Sequence, residues 1–185
     1  MKLINELLMF ILMISKKYNI DESHDISHSM DVLHFANDIY EQQVYLYPPL
    51  KNYKNVIQIC ALLHDMCDKK YMDEKTGSQE IFSYLEPRIE SRENLLINKI
   101  ITTMSYSKVK KDGFPFFENM DHYWAYHVVR EADLLSAYDF DRCRLWTMVY
   151  HIKQNKGDLE SDRVKSEDNF FKVKNQRNWL LTTNY

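Results

Sequence analysis

Glycine and proline are scarce in this chain. Its 185 residues include three glycines and four prolines, whereas the pair averages roughly 12% of residues in globular proteins. A β-rich fold with many tight turns normally uses more of both residues. The scarcity argues against a β-sandwich or a barrel and predicts an all-α fold.

Cysteine and basic charge are also limited. The cysteines Cys60, Cys67 and Cys143 are too few and too irregularly spaced for a disulfide framework, which favours a reducing, cytoplasmic setting. The formal net charge of -3 lacks the basic excess that nucleic-acid binding usually needs, so no nucleic-acid partner is expected. The length and the 45% hydrophobic content predict a single soluble domain, residues 1–185.

A long apolar run is missing as well. The candidate targeting segment, LLMFILMI at residues 7–14, has eight residues, whereas a membrane-spanning helix needs about 20. The SKKYN that follows has no small-residue cleavage site, which argues against the alternative of a signal peptide. We therefore expect a buried N-terminal helix and no membrane partner. Its apolar stripe is Leu3, Leu7, Phe10, Ile11 and Ile14.

Apolar residues recur at a spacing near 3.6 in further blocks, which is typical of amphipathic helices. Breakers at YPPL (47–50), Gly77 and KDGFP (111–115) are predicted to separate them. A weaker block follows Gly77 and is given last below. The stripes are Val32, Phe35, Ala36 and Ile39; Val56, Ile59, Cys60 and Leu63; Ile97, Ile100, Ile101 and Met104; Ala125, Val128, Val129, Ala132 and Leu135; and Ile81 and Leu85 up to Pro87.

Three of these predicted helices carry a histidine or a carboxylate beside the apolar stripe. In DESHDISHSMDVLHF, Asp25 is the expected N-cap and places His28 in the first turn. In CALLHDMCDKKY, His64 continues the apolar face of its helix, and Asp65 follows it. Asp133 lies beside the stripe of the last helix. Burying such groups is costly unless something pairs with them, so a shared partner is expected.

Two neutral imidazoles and two carboxylates form a complete set of protein ligands for one divalent metal. Each residue alone has a simpler explanation. A histidine at a core edge is often structural, the dipeptide His24–Asp25 is interpreted as helix entry and capping, and Asp133 could pair with Arg130. Order and helical placement together are more specific than any single residue.

At these residues the chain resembles the HD-domain metal-dependent phosphohydrolases. Their pattern, H…HD…D on a bundle of helices, is matched by His28, His64–Asp65 and Asp133. The resemblance extends to the bacterial and fungal HD subfamily that includes nucleotide pyrophosphohydrolases. It covers roughly residues 21–140 and implies an HD-type all-α bundle with the metal site between helices. The segments that resemble it are SHDISHSMDVLHFA, ALLHDMCDKKY, IITTMSYSKVKKDG and VVREADLLSAYD.

Two departures from that subfamily bear on substrate identity. Ser136 stands where a second acid usually follows the last ligand by three residues. Residues 141–185 have no clear match and are treated as a C-terminal extension.

The number of metal ions can also be argued. Dinuclear HD enzymes add histidines from intermediate helices. Between Asp65 and Asp133 this chain has only His122 and His127, and both lie among aromatic residues, where helix-edge packing is the preferred interpretation. We expect one divalent ion, Mn²⁺ by preference, with Fe, Co, Ni, Zn or Mg as alternatives.

Asp68 and Lys69 are the candidate catalytic residues. A divalent ion polarises a phosphoryl oxygen and acidifies a water. Asp68, one helical turn after His64, could act as general base or orient that water, and HD enzymes of the alarmone-hydrolase type carry a carboxylate at the same spacing. The alternative is that Asp68 pairs with a nearby lysine. Lys69 could neutralise developing phosphate charge, whereas Lys70 is expected to face solvent.

SYSKVKKDGF places Lys108, Lys110 and Lys111 on a predicted loop. Lys108 and Lys111 are the candidate substrate-binding residues, because such a cluster could grip a triphosphate. The alternative is a solvated surface. Cys67 is expected to be a small packing residue rather than a ligand.

The predicted function is metal-dependent hydrolysis of a phosphoester or phosphoanhydride in a small-molecule nucleotide, similar to a nucleoside triphosphate pyrophosphohydrolase. The alternatives are a nucleoside 5'-monophosphatase and a degenerate HD module that binds nucleotide or protein without turnover. The intact ligand set and Asp68 argue against degeneracy, whereas Ser136 and the unmatched extension favour it. A homodimer is compatible with the sequence.

Overall fold

Every regular element in the described part of the chain, residues 2–21, 24 and 26–137, is helical in the computed structural model. The predicted all-α fold is confirmed for these residues. The helices are α1 (Lys2–Tyr18), α2 (Ile26–Leu46), a 3₁₀ helix (Pro48–Tyr53), α3 (Lys54–Leu63), α4 (Glu74–Leu85), α5 (Ser91–Thr103), α6 (Tyr106–Asp112) and α7 (Met120–Ala137).

Helix α3 occupies the centre of the bundle. It packs against α1, α2 and α5, and its apolar residues are buried on all sides rather than along one stripe. A helix that is hydrophobic all round is expected to be surrounded by other elements. The C-terminal end of α3 therefore delivers the residues that follow it to the interior. The buried residues are Val56, Ile57, Ile59, Cys60, Ala61, Leu62 and Leu63.

The surrounding helices bury the stripes that the spacing predicts. In α1 the buried residues are Leu7, Phe10, Ile11 and Ile14. The stripe of α5 is likewise buried through Ile97, Ile100 and Ile101. Burial of these stripes supplies the main driving force for the fold.

Gly77 was predicted to separate helical blocks, and that prediction is wrong. Gly77 lies inside α4, which begins at Glu74 with Asp73 as its N-cap. A Cβ at position 77 would lie 2.5 Å from Met72 Sδ and 2.9 Å from Cys67 Cβ. The missing side chain thus allows α4 to pack closely against the turn after α3.

The lysines of SYSKVKKDGF were predicted on a loop, and this prediction is also wrong. Lys108, Lys110 and Lys111 lie on the short helix α6. The break falls after them, at Gly113, whose φ of +79° is readily adopted by glycine. The segment 113–119 then connects α6 to α7 without helix or strand.

No helix within these described ranges combines the length and apolar content needed to cross a membrane. All four predicted metal ligands belong to one compact unit, Met1–Asp133. The predicted N-cap Asp25, Cys143 and the extension predicted for residues 141–185 lie outside the described residues.

Candidate metal centre

The four predicted ligands converge from three separate helices. His28 lies in the first turn of α2, His64 and Asp65 directly follow α3, and Asp133 lies on α7. The Nε2 atoms of His28 and His64 are 3.1 Å apart. Oδ2 of Asp65 is 3.3 Å from each of these nitrogens. Oδ1 of Asp133 is 3.6 Å from His28 Nε2 and 3.5 Å from His64 Nε2.

A hydrogen bond fixes which ring nitrogen of His64 faces the cluster. His64 Nδ1 lies 2.8 Å from the carbonyl oxygen of Ala61, one turn earlier. Because a carbonyl oxygen can only accept, Nδ1 carries a proton and donates it. A neutral His64 therefore presents the Nε2 lone pair to His28, Asp65 and Asp133. This is the backbone-anchored arrangement that orients metal-binding imidazoles.

The site attracts positive charge. Burial opposes protonation of His64, but Asp65 and Asp133 outweigh it and hold the pKa of this imidazole well above its usual range. Burial would raise the pKa of Asp65, yet His64, His24 and His28 hold it well below the usual value. Against the same effect of burial, hydrogen bonds from His28 and His64 lower the pKa of Asp133 to about 2. Either a proton or a metal cation satisfies this demand.

The spacing of the four atoms suits one ion. Ligands about 2.0–2.2 Å from a metal in tetrahedral or octahedral geometry are separated by about 2.8–3.6 Å. The two imidazole nitrogens lie 3.1 to 3.6 Å from each other and from the two carboxylate oxygens, which falls in this interval. His28, His64 and Asp133 form a buried group that can hold a metal ion, and Asp65 Oδ2 adjoins it.

His24 also belongs to this site, and sequence reasoning missed it. Its Nδ1 lies 2.6 Å from Asp65 Oδ2, and His24, His28 and Asp65 form a second group capable of holding a metal. The interpretation of His24 as helix entry overlooked this contact. The available signal was the spacing: His24 precedes His28 by four residues, about one helical turn.

The predicted catalytic pair lies on the turn that follows His64 and Asp65. Helix α3 ends at Leu63, so Asp68 is not one α-helical turn beyond His64 as predicted. Instead, Asp68 N donates to the Asp65 carbonyl at 3.2 Å. The Asp68 carboxylate accepts from the backbone N–H of Lys70 at 2.7 Å, which stiffens the turn. Lys69 is exposed.

Lys70 was expected to face solvent. Its side chain is half-exposed, yet its Nζ pairs with Asp21 Oδ2 at 2.8 Å. This pair connects the turn after α3 to the segment that leads into α2.

The α6 lysines differ in their surroundings. Lys108 is partly buried, forms an ion pair with Glu74 and donates to the Thr102 carbonyl. Burial and the nearby Lys69 lower its pKa, whereas Cys67 and Asp68 oppose that shift. Lys108 therefore lies beside the turn that follows His64 and Asp65. The side chain of Lys111 is 82% exposed and lies 4.0 Å from Asp112.

The histidines of HYWAYH pack against aromatic rings, as predicted. His122 meets Tyr53 edge-on at 5.4 Å between ring centroids. His127 lies 4.3 Å from the ring of Tyr123 and 5.3 Å from that of Phe114.

The surroundings of Cys67 and Asp133 bear on two alternatives, namely whether Cys67 is a ligand and whether Asp133 pairs with Arg130. Cys67 is buried, and burial raises the pKa of its thiol to about 11, as suits a packing residue. Within the described residues no ion pair joins Asp133 to Arg130, and Asp133 faces His28 and His64 instead.

Comparisons of this chain with models of known families, with curated proteins and with solved structures found no match.

Proposed function

We propose that this protein is an HD-type metal-dependent phosphohydrolase that cleaves a phosphoester or phosphoanhydride bond in a nucleotide. The observation that carries the proposal is the convergence of four electron-pair donors, with His28 Nε2 and His64 Nε2 3.1 Å apart and Asp65 Oδ2 3.3 Å from both. Lone pairs at these separations repel one another unless a proton or a metal ion lies among them.

His28, His64, Asp65 and Asp133 would hold the ion, with Mn²⁺ preferred and Fe, Co, Ni, Zn or Mg as alternatives. A divalent ion bound there supplies Lewis acidity toward a phosphoryl oxygen and a nucleophilic water at neutral pH. The hydrogen bond from His64 to the Ala61 carbonyl keeps the imidazole oriented. The short contact from His24 to Asp65 fixes the carboxylate in the same way.

Asp68 is the proposed general base or water-orienting residue. Asp68 follows the proposed ligand Asp65 by three residues, within one turn. Among the described residues, the Lys70 N–H donates to Oδ1 of its carboxylate and leaves Oδ2 without a donor. Its other oxygen could accept a proton or a hydrogen bond from the attacking water. Lys69, exposed at the next position, is the proposed group for neutralising charge on the departing phosphate.

A nucleoside 5'-monophosphatase is the second candidate. The observation that favours it concerns the α6 lysines, which were the reason for preferring a triphosphate. Lys108 is occupied by Glu74 and the Thr102 carbonyl. A triphosphate would have to displace these partners, whereas a monophosphate could be held without Lys108.

Product identification separates these candidates. The purified protein, supplied with Mn²⁺, is assayed on nucleoside mono-, di- and triphosphates, with Asp65→Ala as the control for contaminating phosphatase. Pyrophosphate released from a triphosphate supports the first candidate, and phosphate released from a monophosphate supports the second. A metal-loaded parent that turns over none of them would leave the binding module without turnover as the function.

A further inference from the structure

Arg130 carries a buried positive charge without a hydrogen-bond partner on two of its nitrogens. It lies on α7 and is 2% exposed. Its Nε and Nη2 atoms are shielded from solvent and have no hydrogen-bond partner within the described part of the chain. Buried arginines are ordinarily paired, because leaving a buried charged group unsatisfied is costly.

A second unsatisfied group lies one turn earlier on the same helix. His127 is 7% exposed, and its buried Nε2 also lacks a hydrogen-bond partner. Residues three apart on a helix are neighbours on its surface, so His127, Arg130 and Asp133 follow one another along α7. The unpartnered groups therefore adjoin the helical turn that supplies Asp133 to the metal cluster.

Within the described ranges no carboxylate forms an ion pair with Arg130. The ring of Phe114 faces the guanidinium, with its centroid 5.2 Å from Cζ. Burial lowers the pKa of Arg130, whereas the nearby Tyr126, Asp133 and Glu131 act in the opposite direction and favour the charged guanidinium. Asp133 already faces His28 and His64. A guanidinium with free N–H groups is the geometry that binds phosphate oxygens in a bidentate manner.

We propose that Arg130, with His127 beside it, binds a phosphate group next to the His/Asp metal cluster. That this anion is a substrate phosphate rests on the proposed function, whereas anion binding itself does not. Entry of the anion requires movement of the partly exposed Phe114 ring. This residue belongs to segment 113–119, which has no helix or strand to hold it.

Phosphate binding to metal-free protein tests the site independently of turnover. Inorganic phosphate and pyrophosphate are titrated by calorimetry into EDTA-treated parent, Arg130→Met and the control Arg92→Gln, which changes an exposed arginine on α5. Losing a charge-assisted hydrogen-bond pair should weaken binding by Arg130→Met on the order of 10- to 100-fold. Arg92→Gln should bind as the parent does. Equal affinities for parent and Arg130→Met, or no binding by the parent, would overturn the proposal.

Thermal unfolding without phosphate is a second test, because a binding role and a structural role for Arg130 predict opposite changes in the Tm of Arg130→Met. If Arg130 is an unpaired binding group, Arg130→Met removes a buried charge while keeping most of the volume, and Tm should rise. If Arg130 is a structural residue, Tm should fall, and the proposal is wrong. Should Arg130→Met fail to fold, Arg130→Lys replaces it in both measurements and should lose most of the phosphate affinity.

Activity distinguishes this inference from the proposed function. A parent that binds phosphate through Arg130 but hydrolyses no nucleotide would refute the phosphohydrolase and leave the anion site standing. A parent that hydrolyses nucleotides while Arg130→Met keeps the parental KM and kcat would refute Arg130 as the binding group for the substrate phosphate and leave the phosphohydrolase standing.

Discussion

His28 and His64 face each other from two helices with their Nε2 atoms 3.1 Å apart. His64 Nδ1–H donates to the Ala61 carbonyl, so the contact between the two Nε2 atoms needs a hydrogen carried by His28 Nε2, an added proton or a metal cation. The carboxylates Asp65 and Asp133 border both rings. The stability of the protein should therefore depend on whether a proton or a metal ion lies among these four side chains.

Metal-free protein should lose stability as pH rises. The folded-state pKa of His64 is held well above its usual range because, against the effect of burial, Asp65 and Asp133 favour the charged ring. Its contribution is therefore fully present below about pH 6.5 and is lost as pH rises through the folded pKa. Added Mn²⁺ should replace the proton and stabilise more at pH 9 than at pH 6. Urea unfolding at both pH values, with EDTA or Mn²⁺, measures this.

The matched controls for that experiment are two histidine variants. His64→Gln should flatten the pH dependence of the EDTA-treated protein, whereas His34→Gln, which changes an exposed ring, should keep it. An EDTA-treated parent with the same free energy of unfolding at both pH values would contradict the role assigned to His64.

Replacing Asp68 should separate chemistry from metal binding. Asp68→Asn is expected to keep the ion, because Asp68 lies outside the four-atom cluster, and to lose about 10² to 10⁴ in kcat, the usual share of a positioned acid or base. Metal content and steady-state kinetics are measured on the same preparation. The control is Asp31→Asn, an exposed carboxylate on α2. Full activity in Asp68→Asn would reduce Asp68 to its turn-forming hydrogen bond with Lys70.

The α6 lysines should affect binding more than turnover. The double variant Lys108→Ala/Lys111→Ala is expected to raise KM more than it lowers kcat, because contacts to distal phosphates act equally in the ground and transition states. The effect should be larger for a triphosphate than for a monophosphate and should shrink at high salt. Kinetics with both substrates at two salt concentrations test this. Parental KM and kcat under all conditions would show that these lysines do not contact substrate and support the alternative of a solvated surface.

Apolar periodicity predicted the buried faces of the helices better than it predicted where the helices end. The stripes of α1 and α5 and the inward placement of His64 follow from apolar spacing near 3.6. The end of α3 at Leu63 could not be predicted in this way, since Met66 and Cys67 continue the apolar helical spacing beyond it and are buried.

Tertiary contacts, which a local pattern does not show, account for the features that the sequence analysis predicted wrongly or overlooked. Gly77 is required by the close approach of Met72 and Cys67, which lie in the segment between α3 and α4. The contact of His24 with Asp65 joins residues 41 positions apart. The lack of hydrogen-bond partners at Arg130 becomes visible only when its surroundings are known.

The close packing at Gly77 predicts a destabilising substitution. Gly77→Ala would place a methyl group 3.0 Å from Cys67 Cα and 2.9 Å from its Cβ. Overpacking costs about 1–3 kcal/mol, and the gain in helix propensity offsets about 1 kcal/mol at most. Because three atoms lie within 3.0 Å of the added methyl group, the upper half of that cost applies, and we expect a net loss of about 1–2 kcal/mol in the free energy of unfolding, measured by urea denaturation. Gln79→Ala, on an exposed position of α4, is the control, and a Gly77→Ala protein as stable as the parent would contradict the packing argument.

The most direct test of the central claim is the number of metal ions bound per chain. Protein stripped with EDTA is dialysed against Mn²⁺, and bound metal is measured for the parent, Asp65→Ala and Asp31→Asn. We predict one ion per chain in the parent and in Asp31→Asn, and loss of that ion in Asp65→Ala, which removes the carboxylate 3.3 Å from both imidazole nitrogens. A parent that binds neither Mn²⁺ nor any of the alternative ions, or an Asp65→Ala protein that binds as the parent does, would contradict the account.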